Sequence, residues 1–207
     1  MAIEQEQIDI SKPSVDAFEI VAIAASAGGL NALSHVLSAL PKGFPAAIVV
    51  VQHLDPRHKS LLSHIMSRRT PLSVKEAQDT DSISKGTVLI APPDKHLLVN
   101  ADGTISLTQT RLVHFVRPSA DLLFESVAAS YGEKAIAVVL TGSGSDGATG
   151  VKAINKMGGT VIAQDEATCE FFGMPGAAIA TGVVDIILPL DEIAPKIVTL
   201  VMTGAAR

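Results

Sequence analysis

The chain has 207 residues, a formal net charge of −5 and a hydrophobic content of 47%, which suit one domain with a sizeable core. The acidic balance, the aromatic content of 3% and the lack of tryptophan argue against a nucleic-acid-binding surface. A single cysteine, Cys169, excludes an internal disulfide and a metal site built from several cysteines.

The N-terminal segment, residues 1–17, is polar and acidic and predicts an irregular lead-in to a domain over 18–207. It has neither the basic nor the apolar region of a signal peptide. No apolar run in the chain reaches the roughly eighteen residues that span a bilayer. We therefore expect a cytoplasmic protein without membrane insertion.

From residue 20 onwards, apolar runs of strand length alternate with amphipathic segments. The runs are continuous and rich in Val and Ile, which is typical of parallel strands covered on both faces. They lie at 20–25, 46–53, 135–141, 159–164 and 183–189. The predicted helices are Leu30 to Leu40, Lys59 to Arg68, Ser119 to Ser130, Gly147 to Lys156 and Leu190 to Met202. This alternation predicts an α/β fold with a wound, mostly parallel β-sheet flanked by helices.

The middle of the chain, residues 73–110, has a different pattern. Its apolar segments are short and partly alternating, and turn signals separate them at 85–86, 92–94 and 101–104. Such a pattern predicts an antiparallel hairpin excursion from the main sheet.

Ser26 raises the first question about chemistry. It follows the first predicted strand and precedes Gly28 and Gly29, which open a predicted helix. A serine there is a favoured helix cap. Alternatively, the turn presents its hydroxyl at the carboxyl edge of the sheet, beside backbone N–H groups that could stabilise an oxyanion.

A base and an acid for Ser26 stand at the ends of two other predicted strands. His53 closes the second run, and Asp146 follows the run that ends at residue 141. Carboxyl ends of parallel strands line one crevice, so these side chains are expected to meet there. Each has a structural alternative: His53 could simply end its strand, and Asp146 could cap its own helix. The glycine-rich loop around Asp146 could also cradle a phosphate, although it lacks the P-loop spacing.

Several motifs together resemble the effector domain of the chemotaxis receptor methylesterases, the CheB family. They are Ser26-Ala27-Gly28-Gly29, Gln52-His53, Arg117-Pro118-Ser119 with Asp121, the loop from Leu140 to Gly147, and "FGMP" at 172–175. The resemblance runs in order from about residue 19 to about residue 200. It implies hydrolysis of glutamate methyl esters on chemoreceptor-type proteins, with deamidation of glutamines as a further activity of many members.

The resemblance implies Ser26 as nucleophile, His53 as general base and acid, and Asp146 as the residue that orients His53. We expect oxyanion and substrate contacts from Ala27, Gly28, Gly144 and Arg117. The implied partner is a methylated chemoreceptor or a similar helical signalling protein. No cofactor is expected, and because the histidines lack a ligand spacing such as H-E-x-x-H, no metal is expected.

The chain also departs from the family pattern. Ala27 stands where a hydroxyl often neighbours the nucleophile, and Ser143 stands where methionine is common. The residues before the first strand leave no room for the receiver domain that many members carry. This predicts either a single-domain member or an excised part of a longer protein, and leaves open control by a separate response regulator.

Two other functions stay open on the sequence. One is a non-catalytic or regulatory binding module of the same fold that docks a helical signalling partner. The other is a phosphate-binding domain built on residues 142–147, for which Ser26 and His53 would be dispensable.

Overall fold

The computed structural model describes residues 19–55, 57 and 60–204. The predicted lead-in over 1–17, the predicted helix start at Lys59 and the last three residues lie outside this part of the chain. The nine strands described are β1 (Ile20–Ala25), β2 (Ala47–Gln52), β3 (Ser73–Glu76), β4 (Thr87–Ile90), β5 (His96–Val99), β6 (Ile105–Thr108), β7 (Ala135–Val139), β8 (Thr160–Gln164) and β9 (Ile186–Leu188). The six α-helices described are α1 (Gly29–Ser38), α2 (Leu62–Ser67), α3 (Ala120–Tyr131), α4 (Ala148–Lys156), α5 (Gly173–Ile179) and α6 (Leu190–Thr203).

Seven of these strands form one parallel sheet in the order β3-β4-β2-β1-β7-β8-β9. The predicted wound α/β fold is confirmed. The central strand β1 is fully buried, and its side chains alternate between two cores. Val21 and Ile23 pack in the core that α1, α2 and α6 cover, whereas Ala22 and Ala24 pack in the core under α3, α4 and α5. Helices on both faces explain why the strand sequences are continuously apolar.

The direction of winding changes beside β1. From β1 the chain proceeds to β2 on one side, and it later returns to β7 on the other side. The strands β2, β1 and β7 bring their carboxyl ends to one edge of the sheet, the edge at which open α/β sheets bind ligands.

The expectation of a hairpin excursion over 73–110 is correct only for its second half. β5 and β6 pair antiparallel as a separate two-stranded sheet, but β3 and β4 extend the main sheet in parallel. β3 is a mostly exposed edge strand, so its sequence has the mixed polar pattern of a hairpin. β4 lies between β3 and β2, but four residues are too short a run to distinguish the two arrangements.

The predicted helices recur with small shifts at their ends, and one helix was not predicted. α5 is seven residues long and contains Pro175 and two glycines, residues that disfavour helix in sequence reasoning. Among the described residues, no helix has both the length and the apolar character needed to cross a membrane.

Candidate active site

Ser26 is the first residue after β1, and hydrogen bonds fix its backbone on both sides. Its N–H donates to the carbonyl of Thr141 at 3.0 Å. Its carbonyl accepts from the N–H of Gly29 at 2.9 Å and from Nε2 of Gln52 at 2.7 Å. The turn that carries Ser26 is therefore tied to the loop after β7 and to the end of β2.

Ser26 does not cap the helix that follows it. The N-cap of α1 is Gly28, in a left-handed conformation with φ of 75°, and no side chain caps this helix. The interpretation of Ser26 as a capping residue is therefore wrong. Its hydroxyl makes no hydrogen bond within the described part of the chain, and Ser26 lines the crevice at the sheet edge.

His53 follows β2 and continues the pairing of β2 with β1, since its N–H donates to the carbonyl of Ala25 at 3.1 Å. Its side chain is 11% exposed, and Nε2 lies 2.8 Å from Oδ2 of Asp146. Nε2 is thus occupied by the carboxylate, which leaves Nδ1 for a partner. Ser26 and His53 end neighbouring strands and line the same cleft.

The carboxylate of Asp146 is buried, and both of its oxygens accept hydrogen bonds. Oδ1 accepts from the Ser119 hydroxyl at 2.8 Å and from the N–H of Asp121 at 3.1 Å, and Oδ2 accepts from the N–H of Ala120 at 2.6 Å. Burial raises the pKa of Asp146, but the hydrogen bonds from His53 and from the start of α3 outweigh it and lower the pKa below its ordinary value. Asp146 is therefore ionised, and Nε2 of His53 donates to it.

Asp146 caps a helix, but not its own. Its carboxylate accepts two N–H groups at the positive end of α3. The first N–H groups of α4 are instead bound by Oδ1 of Asp121, at 2.9 Å from Gly147, 2.9 Å from Thr149 and 2.7 Å from Gly150. These groups are the donors that a phosphate at residues 142–147 would need. Their engagement by Asp121 argues against the phosphate-binding alternative.

A buried histidine lies behind the Asp146 carboxylate. Nδ1 of His96 accepts the N–H of Ser119 at 3.1 Å, so its proton is on Nε2, which donates to the carbonyl of Arg111 at 3.1 Å. Burial lowers the pKa of His96 and keeps the ring neutral. The sequence does not indicate a role for this histidine, because no local pattern points to a contact with a residue 23 positions later.

One group of side chains could be considered as metal ligands. Atoms of His114, Asp121 and Asp146 lie within 4.8 Å of one another. However, Oδ2 of Asp121 already pairs with Nε2 of His114 at 3.0 Å, and the other carboxylate oxygens accept the hydrogen bonds described above. A cation would have to displace two helix caps, so these residues do not fit a metal site.

The cleft at the sheet edge has a volume of about 780 Å³. Its larger apolar lining residues are Leu30, Leu54, Leu61, Leu62 and Ile65. The lining also includes Ser26, Ala27, Gly28, Gln52, His53 and Glu170. Glu170 was not singled out from the sequence, because its loop contains several acidic residues and nothing local distinguishes it.

The expected oxyanion donors separate into two groups. Ala27 and Gly28 line the cleft, and in the described part of the chain their N–H groups are not used in other hydrogen bonds. Gly144 is not among the described residues that line the cleft. The N–H of Gly142, in the same loop, donates to the carbonyl of Phe171 at 2.9 Å and is thus occupied.

Arg117 is engaged away from the cleft. Its Nε and Nη2 donate to Oδ1 of Asp94 at 2.9 and 2.6 Å, and Nη1 donates to the carbonyls of Gln109 and Thr110. Arg117 is not among the described residues that line the cleft, and these contacts argue against the expected role of its guanidinium in substrate binding. Its local sequence could not indicate a partner 23 residues earlier.

Burial raises the pKa of the Cys169 thiol to about 11, and the nearby Asp165 and Glu166 act in the same direction, so Cys169 is a poor nucleophile. Met174 is buried in the core beneath α5.

The model of the CheB methylesterase family matches residues 21–197. The chain belongs to this family. It is 44% identical over 191 residues to the protein-glutamate methylesterase/protein-glutamine glutaminase of Moorella thermoacetica, covering 90% of the chain and 45% of that relative. A protein of the same type in Methanosarcina mazei is 42% identical over 189 residues, covering 88% of the chain and 52% of the relative. The chain therefore spans about half the length of these curated relatives.

The fold agrees with the membership of this CheB family. The crystal structure of the Thermotoga maritima CheB methylesterase catalytic domain superposes with a TM-score of 0.85 at 41% sequence identity. The match covers 89% of the chain and 99% of the crystallised domain. The family resemblance stated from the sequence motifs is confirmed.

Proposed function

We propose that the chain is a serine hydrolase that removes methyl esters from glutamate side chains of chemoreceptor-type proteins. The observation that carries this proposal is the 2.8 Å hydrogen bond between His53 and Asp146, at the end of the strand next to the one that presents Ser26. Membership of the CheB methylesterase family supports this activity over the alternative of a non-catalytic binding module.

In this mechanism the hydroxyl of Ser26 attacks the ester carbonyl while Nδ1 of His53 accepts its proton. Nδ1 has this role because Nε2 is held by Asp146. The carboxylate stabilises the imidazolium that forms and fixes the ring orientation, as in other serine hydrolases of this type. Serine needs such a base, because its hydroxyl is a weak nucleophile when un-ionised.

The tetrahedral intermediate needs donors for its oxyanion. Ala27 and Gly28 line the cleft beside Ser26, at the start of α1, so their N–H groups are the proposed donors. The imidazolium of His53 then donates its proton to the departing methoxide, and methanol leaves. Water, deprotonated by His53, attacks the acyl-enzyme and releases the glutamate carboxylate and Ser26.

The same groups could hydrolyse a glutamine side chain. The names of the Moorella and Methanosarcina relatives include protein-glutamine glutaminase. An amide needs protonation of its leaving nitrogen, which the imidazolium of His53 can supply to release ammonia. We therefore propose deamidation as a second activity of this site.

Partners and domain limits are proposals too. A methylated chemoreceptor or a similar helical signalling protein is the proposed substrate, and the apolar residues that line the cleft suit a helix surface. The catalytic domain is proposed to extend over 18–207, as expected from the sequence. Control of this domain by a separate response regulator stays a prediction.

Release of methanol from a methyl-esterified chemoreceptor fragment tests this function. The wild-type chain should release methanol, and Ser26→Ala should lower turnover by up to about 10⁶-fold, by analogy with subtilisin. Ser38→Ala is the matched control, because the Ser38 hydroxyl only donates to the carbonyl of His35 within α1. Equal release by the wild type and Ser26→Ala would remove the proposed role of Ser26.

A further inference from the structure

Glu170 lies against the turn that carries the proposed nucleophile. A Cβ placed on Gly28 would lie 2.8 Å from Oε2 of Glu170 and 3.0 Å from its Cβ. Gly28 also has a left-handed φ of 75°, so glycine is the residue that this turn and this contact both favour. Glu170 is itself an exposed residue, and it lines the cleft beside the turn that carries Ser26.

No described residue neutralises the charge of Glu170 by an ion pair. In the part of the chain that the structure describes, Glu170 forms no salt bridge. Asp55, the other acidic residue lining the cleft, pairs with Arg57 at 2.6 Å. None of the described residues that line the cleft is a lysine or arginine. Among the described residues that line the cleft, Glu170 is therefore the acidic one without an ion pair.

We infer that Glu170 determines which glutamyl esters the site accepts, by favouring segments with a lysine or arginine next to the reacting side chain. This inference rests on the proposed hydrolase function and names its substrate class. A cation on the substrate is attracted to the unpaired carboxylate, and an acidic neighbour is repelled. At separations of about 6 Å in a partly hydrated cleft, one such charge changes affinity by about three- to tenfold.

The same charge acts on the product. Hydrolysis turns a neutral ester into a carboxylate within the cleft, beside Glu170. Repulsion between the two carboxylates weakens product binding, so the product peptide should inhibit the wild type less than it inhibits Glu170→Gln. The negative charge of Glu170 would thus affect both which substrate binds and how readily the product leaves.

The test uses three methyl-ester peptides that differ only in having Lys, Gln or Glu beside the esterified residue. For the wild type, kcat/KM should fall in that order by about three- to tenfold per step at low salt, and 0.5 M salt should flatten the series. Glu170→Gln should abolish the order. Glu166→Gln should keep it, because Glu166 is an exposed carboxylate of the same loop that does not line the cleft. An order that persists in Glu170→Gln, or its absence in the wild type, overturns the inference.

A second readout separates failure of this inference from failure of the proposed function. Labelling of Ser26 by fluorophosphonates with a trimethylammonium or a carboxylate tail needs no peptide turnover. The wild type should react faster with the cationic probe by about three- to tenfold, and Glu170→Gln should react equally with both. Absence of methanol from all three peptides contradicts the hydrolase function. Equal labelling of the wild type by both probes contradicts the role of Glu170.

Discussion

Asp121 and Asp146 cap each other's helices. The Asp146 carboxylate, just before α4, accepts two backbone N–H groups at the start of α3, and the Asp121 carboxylate, in the first turn of α3, accepts three at the start of α4. The N–H of Asp121 is itself one of the donors to Asp146. The carboxylate that holds His53 is therefore positioned by the packing of two helices rather than by a flexible loop.

Removal of the Asp121 carboxylate should destabilise the fold strongly. Asp121→Ala leaves three N–H groups without their acceptor, two of them in buried residues, and should lower the free energy of unfolding by about 2–4 kcal/mol. Urea denaturation measures this loss. Asp191→Ala, in the exposed first turn of α6, is the control and should cost less than about 1 kcal/mol. Similar losses for both variants would show that the mutual capping of α3 and α4 does not contribute to the free energy of unfolding.

The loss of charge at Asp146 should act on turnover. In Asp146→Asn the ring of His53 loses its ionic partner and the imidazolium loses its stabilisation. We expect kcat for methyl-ester hydrolysis to fall by about 10⁴-fold, as in the trypsin triad. Asp102→Asn should keep the wild-type kcat, since that carboxylate only accepts from Thr104 in the exposed turn between β5 and β6. A decrease of less than tenfold for Asp146→Asn is incompatible with this role.

Stability should decline with acidification because of His96. Burial lowers its pKa in the folded state, and the positive charge of Arg117 acts in the same direction, although Asp146 and Asp94 oppose it. The unfolded chain therefore binds a proton more readily, so stability is lost as the pH falls below about 6.5, by up to about 1.4 kcal/mol per pH unit. Urea denaturation at pH 8 and pH 5 should show a larger loss for the wild type than for His96→Asn. An equal loss in both proteins would mean that protonation of His96 does not cause the decline of stability at low pH.

Because Gly142 has no side chain, Ser26 can pack closely against it. A Cβ at this position would lie 2.8 Å from Cβ of Ser26 and would overlap Sδ of Met174. Gly142→Ala should lower the free energy of unfolding by about 1–3 kcal/mol and, by displacing Ser26, decrease kcat by up to about 100-fold. Gly43→Ala is the control for kcat. Its φ of 79° makes this substitution costly for stability too, but its Cβ would meet nothing within 4 Å, so kcat should stay unchanged. Wild-type kcat in Gly142→Ala would show that the contact does not position Ser26.

The strands that present the site could be predicted from the sequence because each is a continuous apolar run that ends in a polar residue. β1 and β2 are buried on both faces, and the positions of Ser26 and His53 follow directly from where these strands end. The edge strand β3 could not be assigned in the same way. It is mostly exposed, so its residues carry no periodic signal that distinguishes a parallel edge from a hairpin.

Contacts between distant segments were outside the reach of sequence reasoning. The partners of Arg117 and His96 each lie 23 residues away, and the contact of Glu170 with Gly28 joins the two ends of the domain. The helix that Asp146 caps could not be predicted either, because a local pattern indicates only the helix that Asp146 precedes. Because α3 packs against α4, the Asp146 carboxylate caps α3 instead.

Reaction with a fluorophosphonate, followed by mass spectrometry of the labelled peptide, tests the nucleophile most directly. We predict one adduct on Ser26 in the folded wild-type chain, and labelling of His53→Ala that is at least about a thousandfold slower. A folded wild-type chain that remains unlabelled, or labelling of Ser26 at the same rate without the imidazole, would contradict the assignment of Ser26 as a nucleophile activated by His53.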